Sequence, residues 1–326
     1  GKVVAQCWGA RSIVQRSGPS SALARCAPLP DETWFKRWVK GMSVSIRAIQ
    51  GGDLPAVGQF LHSHLNPRIS AQTWAFAPLV PWQVSSPNHG FLLADRDEIV
   101  GVYLAFYSVR SFGGVDEPFC NLGAWCVRHE YRGHSMRLLK AMLGQKGYTL
   151  TDLSPSGAVI PLNERLGFQH LNTATVLIPA LPLPIWPSRI RISADPAEIE
   201  RVLTGKQLQI YRDHARTAAA HHLLLTRERE TCYVIYRRDR RKNLPVFASI
   251  LYVSDPDLFK IGSTNMSRYL LFRHGILVML AEVRTIIHRP KLSLMLTSPR
   301  RKMFKSERLK AEQIDNLYSE LVCVPW

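Results

Sequence analysis

The residues most able to do chemistry lie in one segment, Leu122–Leu139 (LGAWCVRHEYRGHSMRLL), where an apolar run ends in basic residues. The run predicts a buried strand, and the spacing of Met136, Leu139 and Leu143 predicts a helix directly after a short loop. Such a helix start presents backbone N–H groups and the positive end of the helix dipole, which together bind phosphate. The segment therefore predicts an anion site at Arg132–Arg137, although a solvated arginine cluster would give the same local pattern.

This segment resembles the cofactor-binding motif of the GNAT acyltransferase superfamily, V-x-p-x-[YF]-[RQ]-x-x-G-x-[GA]. Four residues fit the motif: Val127, Tyr131, Arg132 and Gly133. A second family element, of the Y-E-K-L-G-F type, resembles Asn163–Phe168 (NERLGF). The two elements have the separation expected in the family, with a predicted strand between them. The resemblance covers residues 43–170, and two spaced motifs make it fairly specific.

The resemblance implies a fold, a co-substrate and a reaction. Proteins of this superfamily have a central mixed sheet that splays open between its fourth and fifth strands. The pantetheine arm of acyl-coenzyme A lies in that splay against the fourth strand, which here is predicted at Phe119–Val127. The co-substrate would be acetyl-CoA or another acyl-CoA, and an amine of a small acceptor would attack the thioester directly. The residues expected to bind it are Cys126, Val127, Arg128, Arg132, Gly133, His134, Ser135, Met136, Arg137 and Asn163.

Three positions depart from the family pattern. Ser135 and Arg137 replace the glycine and small residue of the G-x-[GA] element, and glycine suits close approach of backbone to phosphate. Ser135 could still donate a hydroxyl, and Arg137 could pair with a phosphate. Asn163 replaces the tyrosine that often protonates the departing thiolate, a role worth roughly 10²–10⁴ in rate. Either Tyr131, Tyr148 or water supplies that proton, or turnover is slow or absent.

A general base for the amine is expected near the fourth strand. Glu117 precedes the apolar part of that strand and His129 follows its end, and histidine has a suitable unperturbed pKa. Either residue could equally be a surface charge. The catalytic candidates are Glu117, His129 and Tyr131. No metal site is predicted, because His62 and His64 are two residues apart and do not share a helix face.

The other elements of residues 43–180 follow the order of the family. Alternating apolar residues predict strands, and an Asp-then-Pro signal predicts a helix start. The predicted elements are a strand at 44–48, a helix from Asp53, a hairpin at 90–108, a loop at 111–118, the helix Ser135–Leu143, and strands at 148–153 and 174–178. An aromatic, proline-rich loop with Trp74, Phe76 and Trp82 either covers the acceptor pocket or simply packs.

The proline-rich stretch 181–188 predicts a domain boundary. Residues 189–326 repeat the order strand, helix, hairpin, helix, strand, with a long helix predicted at Met266–Thr285. The turn before it, Lys260–Ser267, lacks the Arg-Gly pair, so this half is interpreted as a degenerate copy. The predicted fold class is therefore α/β (α+β), with two GNAT-like domains, at 43–180 and 189–326. Each would have a central mixed, splayed β-sheet flanked by helices.

Composition sets wider bounds. A length of 326 residues favours two domains. The sequence contains no run of 18 apolar residues, so no membrane span is predicted. The six cysteines form no C-x-x-C pair, which argues against a zinc site or a disulfide scaffold and favours reduced thiols in the cytoplasm. Residues 1–42 contain no acidic residue before Asp31 and are predicted to be a poorly structured basic extension.

The net charge of +17 predicts a positive field that attracts cofactor phosphates, nucleic acid or an anionic membrane, or merely maintains solubility. Two basic tracts, Arg237–Lys242 and Arg300–Lys310, could contact nucleic acid. The interleaved Asp239 and Glu307 favour a solvated turn and helix instead.

Three functions therefore remain open. The leading one is an acyl-CoA-dependent N-acyltransferase, with acetyl as the expected acyl group and a small-molecule amine as the acceptor. The second is a non-catalytic acyl-CoA-binding sensor or scaffold, which the altered glycines and Asn163 support. The third is a basic protein associated with nucleic acid. The sequence does not predict the oligomeric state.

Overall fold

The computed structural model describes residues 44–182, 189–241 and 243–326. The predictions for the basic extension, for most of the proline-rich linker and for Lys242 lie outside the described residues. The domain boundary at 181–188 stays a prediction.

Strands and helices alternate along the described chain much as the periodicity of apolar residues suggests. The strands are β1 (Val44–Ala48), β2 (Gly90–Asp95), β3 (Glu98–Phe112), β4 (Val115–Val127), β5 (Thr149–Asp152), β6 (Gln169–His170), β7 (Thr175–Pro179), β8 (Arg191–Ser193), β9 (His221–Arg227), β10 (Glu230–Arg241), β11 (Leu244–Val253), β12 (Val278–Glu282), β13 (Leu294–Met295) and β14 (Met303–Lys305). The α-helices are α1 (Leu54–His64), α2 (Ala71–Phe76), α3 (Ser135–Leu143), α4 (Ile160–Arg165), α5 (Pro196–Val202), α6 (Gly205–His214), α7 (Pro256–His274), α8 (Val283–Ile286) and α9 (Glu320–Cys323). Short 3₁₀ helices lie at Gly51–Asp53, His129–His134 and Ala311–Gln313.

The strands form two mixed sheets flanked by helices, which confirms the predicted fold class. The first has the order β1-β2-β3-β4-β5-β14-β6, and the second has the order β13-β7-β12-β11-β10-β9-β8. Each described sheet has one parallel pair, which is β4 with β5 in the first sheet and β11 with β12 in the second. The other pairs are antiparallel.

Each half of the chain completes the other half's sheet. β7 follows the first sheet's strands in sequence but pairs with β12, while β14 from the second half pairs with β5. β7 and β14 occupy equivalent places, so both sheets have the same arrangement of strands. The two sheets are therefore tied together by backbone hydrogen bonds as well as by packing.

The two sheets share one apolar core. Leu104 and Phe106 of β3 lie in the same buried cluster as Tyr233 and Ile235 of β10. The C-terminal residues from Ile314 to Val324 contribute to this shared core, whereas α3 and α7 cover the opposite faces of the first and second sheets. Because strand side chains alternate between faces, this placement decides which residues point toward the partner sheet.

Helix α3 and the strand at 44–48 confirm two of the predicted elements. Residues 111–118, predicted as a loop, are mostly strand, because β3 and β4 extend to a tight turn at Gly113-Gly114. These glycines have φ values of 60° and 84°, which glycine adopts without steric cost. Pro118 is tolerated in β4 because pairing with β5 begins only at Phe119.

The predicted helix at Met266–Thr285 is confirmed as far as His274 and is wrong beyond it. The observed helix α7 ends at His274 and is followed by Gly275, which has a left-handed φ of 65°. The apolar residues from Val278 to Ala281 lie in β12. The predicted turn Lys260–Ser267 lies inside α7, because the helix starts after Asp255. A short apolar run suits a buried strand as well as a helix, and the left-handed glycine separates the two.

The two basic tracts are not a solvated turn and a helix. Arg237, Asp239 and Arg241 alternate along β10 on the face toward the shared core, and the first two are buried. In the second tract, Lys302 is buried and residues 303–305 form β14. Alternate side chains of a strand point to the same face, so a basic sequence can place every second charge in the core.

The exchange of β14 predicts that a core residue of the second half stabilises the first sheet. Phe304 is 1% exposed, and its partner across the strand pair is Thr151 of β5. Phe304→Ala should lower the free energy of unfolding by about 3–5 kcal/mol. It should also speed amide hydrogen exchange in β5.

Urea denaturation and hydrogen exchange by mass spectrometry would measure these effects. The matched control is Phe272→Ala on α7, because Phe272 is 69% exposed and its loss should cost about 1 kcal/mol or less. Unchanged exchange in β5 together with equal effects of both substitutions would contradict the strand exchange.

Candidate functional site

The first sheet opens between β4 and β5. These strands pair at three positions, Phe119 with Thr149, Cys120 with Leu150, and Asn121 with Thr151. β4 then continues to Val127, paired with β3 only. A β-bulge interrupts that pairing near Ala124, which has a φ of 53°. The bulge turns the end of β4 away from β5 and leaves its backbone groups facing the opening.

Asn121 holds three segments together at the vertex of this opening. Its side-chain nitrogen donates to the carbonyl oxygen of Thr151 at 3.3 Å and to the Thr151 hydroxyl at 3.1 Å. Its side-chain oxygen accepts from the backbone N–H of Glu320 at 2.9 Å. Asn121 is 1% exposed, so all these bonds lie away from water. β4, β5 and helix α9 therefore meet at a single amide side chain.

Glu320 lies against β4 on the side of the shared core. Its Oε1 accepts from the hydroxyl of Ser154 at 2.7 Å, and its Oε2 is buried without a hydrogen-bond partner. Burial raises the pKa of Glu320. A Cβ atom at Gly123 would lie 3.0 Å from the Cβ of Glu320 and 3.1 Å from the ring of Phe106. A glycine at 123 thus permits the close approach of α9.

Asp152, the last residue of β5, is the second buried carboxyl group at the vertex. Its Oδ2 accepts from the amide nitrogen of Asn163 at 2.9 Å. Burial, reinforced by the nearby charge of Glu320, raises the pKa of Asp152 to about 7. The Oδ1 atom of Asn163 is buried without a hydrogen-bond partner. Two carboxyl groups and an incompletely bonded amide therefore meet where the strands separate.

The two carboxyl groups approach the opening from opposite faces of the sheet. Leu150 belongs to the cluster under α3, and strand alternation places Asp152 on the same face. Tyr103 of β3 lies in that cluster too, and burial followed by the charge of Asp152 raises the pKa of its hydroxyl. Leu153 and Glu320 lie on the side of the shared core. A ligand in the opening would meet a different carboxyl group on each face.

The loop predicted to hold pyrophosphate is more tightly wound than its sequence suggests. Residues His129–His134 form a 3₁₀ helix that runs directly into α3. The N–H of Tyr131 donates to the carbonyl of Arg128 at 3.0 Å, and the N–H of Ser135 donates to that of Arg132. These two amides are therefore committed within the turn, so the helix start presents fewer backbone N–H groups than the sequence analysis expects.

Side chains of the predicted cofactor loop are mostly exposed. Arg132, Gly133 and Met136 are exposed, and a Cβ at Gly133 would meet no heavy atom within 4 Å. Arg137 donates to the carbonyl oxygen of Val44 at 2.7 Å, so it ties α3 to β1. His134 and Ser135 are half-buried beside them. On β4, Cys126 is buried whereas Val127 and Arg128 are half-buried.

Tyr131, predicted as a catalytic acid, is held by a carboxylate. Its hydroxyl donates to Asp95 at 2.8 Å, and the guanidinium carbon of Arg128 lies 5.6 Å from its ring centre. The bond to Asp95 raises the pKa of Tyr131. Arg128 also pairs with Glu98. His129 is exposed at the start of the same turn. Neither residue is among the groups gathered around Asn121.

Glu117 lies at the other end of β4. Val127 lies ten positions further along the strand, a distance of roughly 33 Å for extended backbone. Its Oε1 accepts from the Thr149 hydroxyl at 2.7 Å, and its Oε2 pairs with Arg308 at 3.0 Å. The structure therefore does not bring Glu117 together with His129 and Tyr131. Its contacts stabilise the start of β4 against β5 and the chain beyond β14.

The aromatic segment after α1, predicted as a loop, includes helix α2 with Trp74 and Phe76, and it packs between the halves. Trp74 is fully buried with its ring 5.2 Å from that of Trp326, and the indole N–H of Trp82 donates to the carbonyl of Tyr107 at 2.7 Å. An open cavity of about 450 Å³ lies beside it. Its lining includes Phe76, Leu79, Arg216 and Cys323.

Sequence reasoning missed Asp152, Ser154 and Glu320. The sequence gives a weak indication that Asp152 is buried, because it lies two residues after Leu150 on the same strand and therefore faces the same side. Glu320 has no such indication, because it lies 199 residues from Asn121 in the chain. Within the described residues, no group of three or more metal-ligating side chains occurs, and no helix is long and apolar enough to cross a bilayer.

No protein-family model matches the sequence, and no curated protein matches it either. Solved structures do resemble it. A GCN5-related N-acetyltransferase from Anabaena variabilis has a TM-score of 0.52 at 13% identity, over 80% of this chain and 72% of the other. One from Kribbella flavida has a TM-score of 0.50 at 14% identity, over 80% and 70%.

A third similar structure is the fungal glucosamine N-acetyltransferase region of a multi-domain β-N-acetylglucosaminidase. Its TM-score is 0.53 at 11% identity, and the alignment covers 81% of this chain and 38% of the other. At such identities the similarity establishes the fold alone. It confirms the fold expected from the two sequence motifs.

The raised pKa of Asp152 predicts a dependence of stability on pH. The folded state retains the proton from the ordinary pKa of 3.8 up to about 7, a range where the unfolded chain has released it. The contribution of Asp152 to stability is therefore complete below pH 3.8 and is lost as the pH rises through about 7. Asp152→Asn should reduce the fall in free energy of unfolding between about pH 4 and pH 8 by roughly 2–4 kcal/mol.

Urea denaturation at several pH values would measure this change. Asp97→Asn is the matched control, because Asp97 is exposed in the β2–β3 turn. If Asp152→Asn and Asp97→Asn leave the same pH dependence, the assignment of a buried, protonated Asp152 is wrong.

Proposed function

We propose that this chain, which has the GNAT fold, is an acyl-CoA-dependent N-acyltransferase acting on the amine of a small molecule. The observation that carries the proposal is the opening beyond Asn121, where β4 leaves β5 and buried polar atoms lack partners. Besides Glu320 and Asn163, the indole N–H of Trp125 is buried without a hydrogen bond. Donors and acceptors left unpaired by the protein are those that a polar ligand would satisfy.

The residues proposed to bind acyl-CoA follow from the resemblance. Backbone groups from Cys126 to Arg128 would pair with the pantetheine arm, because among the described strands β4 pairs only with β3 beyond Asn121. Arg132 and the start of α3 would face the pyrophosphate, where positive charge and the helix dipole favour anions. Acetyl-CoA is the proposed co-substrate, since the similar structures named above are acetyltransferases.

Asp152 and Glu320 are proposed to move the protons. The nitrogen of the acceptor forms a bond to the thioester carbonyl carbon, and the carbon–sulfur bond breaks. Glu320 accepts the proton from the amine on the side of the shared core. Asp152 donates its proton to the departing sulfur on the face of α3. Proton exchange between the carboxyl groups and water then restores the starting state.

The environment of these carboxyl groups suits the two roles. Two buried carboxyl groups in close electrostatic contact resist simultaneous ionisation, so one keeps a proton near neutral pH. Asn163, at the position of the family's acidic tyrosine, donates to Asp152 at 2.9 Å. Asp152 is thus proposed to replace that tyrosine, with Asn163 as the residue that positions it. Glu117, His129 and Tyr131 have no part in this scheme.

The second half is proposed to be a degenerate GNAT-like copy. Its helix α7 occupies the place of α3, but the carboxylate of Asp255 already accepts from the N–H groups of Asp257 at 3.0 Å and Leu258 at 2.9 Å. A carboxylate at a helix start occupies the place of a phosphate and repels it. The second half therefore supplies walls and α9 rather than a second cofactor site.

A second candidate function is a non-catalytic acyl-CoA sensor. Three features favour this function: the 3₁₀ turn whose amides are already bonded, the hydrogen bond of Arg137 to β1, and Asn163 in place of the family's tyrosine. The nucleic-acid alternative loses its main support, because Arg237 and Lys302 of the two basic tracts are buried and cannot reach a phosphate backbone.

Acetyl-CoA should bind with micromolar affinity or tighter, and Arg132→Glu should weaken binding about tenfold or more. The reason is that reversing the charge places a carboxylate beside the pyrophosphate. Isothermal titration calorimetry would measure both affinities. Arg240→Glu is the matched control, because Arg240 is exposed on the second sheet. Absence of any CoA binding would overturn both the enzyme and the sensor.

Thiol release from acetyl-CoA with a panel of amines would separate the enzyme from the sensor. Asp152→Asn should lower kcat by roughly 10²–10⁴ while acetyl-CoA still binds. For the native protein, kcat/KM should fall as the pH rises through about 7, where Asp152 loses its proton. That fall should be absent in Asp152→Asn. An unchanged kcat and pH profile would remove Asp152 from the mechanism, and binding without thiol release would favour the sensor.

A further inference from the structure

A small charged cavity lies between the two sheets, apart from the opening at Asn121. Its volume is about 60 Å³. Four strands of the second sheet, β7, β10, β11 and β12, form one wall, and the residues after β5, the residues before β14 and α9 form the other. The charged side chains that line it are Arg237, Asp239, Arg241, Glu282, Arg300 and Lys302.

Arg237 has unused hydrogen-bonding capacity in this cavity. Its side chain is 2% exposed, and its Nη1 donates to the carbonyl of Leu321 at 3.1 Å. Its Nε and Nη2 atoms are buried without a hydrogen bond, and the nearest ion-pair contact of Nη2 is Asp239 at 3.7 Å. The Nε of Arg241 is likewise buried without a partner. Buried, charged donors of this kind are costly unless an acceptor meets them.

The acidic residues of the cavity wall are already engaged. Glu282 pairs with Lys302 at 2.5 Å and with Arg284 at 2.7 Å. Asp239 accepts from the hydroxyl of Ser249 at 2.9 Å and lies 3.6 Å from Arg300. Hence neither carboxylate completes the hydrogen bonds of Arg237.

The charges of the lining residues do not balance. Four basic side chains face two acidic ones, which leaves an excess of two positive charges around the cavity. Burial and the neighbouring charge of Arg300 lower the pKa of Arg237 and of Arg241. An anion in the cavity would raise both pKa values, because it would lower the free energy of the charged guanidinium groups.

We propose that this cavity binds a small anionic group, a carboxylate or a phosphate, with Arg237 as its main donor. The planar guanidinium offers Nε and Nη2 side by side, which matches two oxygens of either anion. At 10–15 Å³ per water position, the cavity holds about four to six such positions. That space suits a carboxylate or phosphate head, whereas a sugar or an acyl chain is too large.

The cavity adjoins the proposed catalytic opening. Ser154 lines the cavity and also donates to Glu320 at 2.7 Å, and Leu321, whose carbonyl accepts from Arg237, is the next residue after Glu320. An anion bound to Arg237 is thus one side chain away from the proposed base. The assignment of an acceptor class rests on the proposed function: the acceptor is an amine that also carries a carboxylate or phosphate group.

The binding site itself is tested by calorimetry of the full chain with acetate and, separately, with inorganic phosphate. Arg237→Met should weaken binding of the preferred anion about tenfold to a hundredfold. Because that substitution could impair folding, Arg300→Gln serves as a second variant, since Arg300 is 52% exposed at the cavity rim. Arg189→Met, at a position 80% exposed, is the control and should change nothing. Absence of binding by both anions, or equal binding by all variants, would overturn the site.

The acceptor class is tested with matched acceptors, glycine and glycinamide for the carboxylate, and phosphoethanolamine and ethanolamine for the phosphate. In thiol release from acetyl-CoA, Arg300→Gln should raise KM for the anionic member several-fold and leave the neutral member unchanged. Equal KM changes for both members would overturn the acceptor assignment. If acetyl-CoA does not bind while acetate or phosphate still does, the proposed function fails and the anion site stands.

Discussion

The side chain of Asn121 joins three parts of the chain at one buried point, and the geometry of the candidate site depends on that junction. The amide nitrogen holds β5 beside β4, while the amide oxygen holds the N–H of Glu320. A charged or purely apolar side chain could not both donate and accept at these places. The strands separate immediately beyond this residue, so the junction defines where the opening begins and which carboxyl groups border it.

The groups around the opening and the charged cavity form one electrostatic system. Ser154 contacts Glu320 and also lines the cavity, so the hydroxyl separates the excess of negative charge at the vertex from the excess of positive charge beside it. Lys302 is drawn into the interior by Glu282 and contributes a further interaction with Glu320. Burial strengthens each of these interactions, because little water remains to screen them.

The sequence predicts local features of the site well and distant ones poorly. The strand, turn and helix around Arg132 follow from apolar periodicity and a known motif, so β4 and α3 were predicted near their observed bounds. The 3₁₀ winding of the turn was not predicted, because the spacing of apolar residues does not distinguish a short 3₁₀ helix from a loop. The misplaced helix of the second half reflects the ambiguity of a short apolar run near Gly275.

The rest of the site arises from contacts that no local pattern encodes. Glu320 meets Asn121 only because α9 folds back into the core shared by the two sheets. Likewise, Arg237 belongs to a tract that looks solvated in sequence, and strand alternation alone carries it inward. The acidic and basic groups proposed to act together thus come from separate segments of the chain. Their proximity depends on the tertiary fold, which is why spacing along the chain gives no warning of it.

The strand exchange has a consequence for synthesis on the ribosome. The free edge of β5 is made about 150 residues before β14, which covers it, and translation at 5–20 residues per second takes roughly 8–30 s to bridge that gap. β7 is likewise made before its partner β12, although the interval is shorter. During this time the nascent chain carries unpaired strand edges that can recruit the wrong partner. The first sheet therefore completes its strand pairing only after residue 305 has left the exit tunnel.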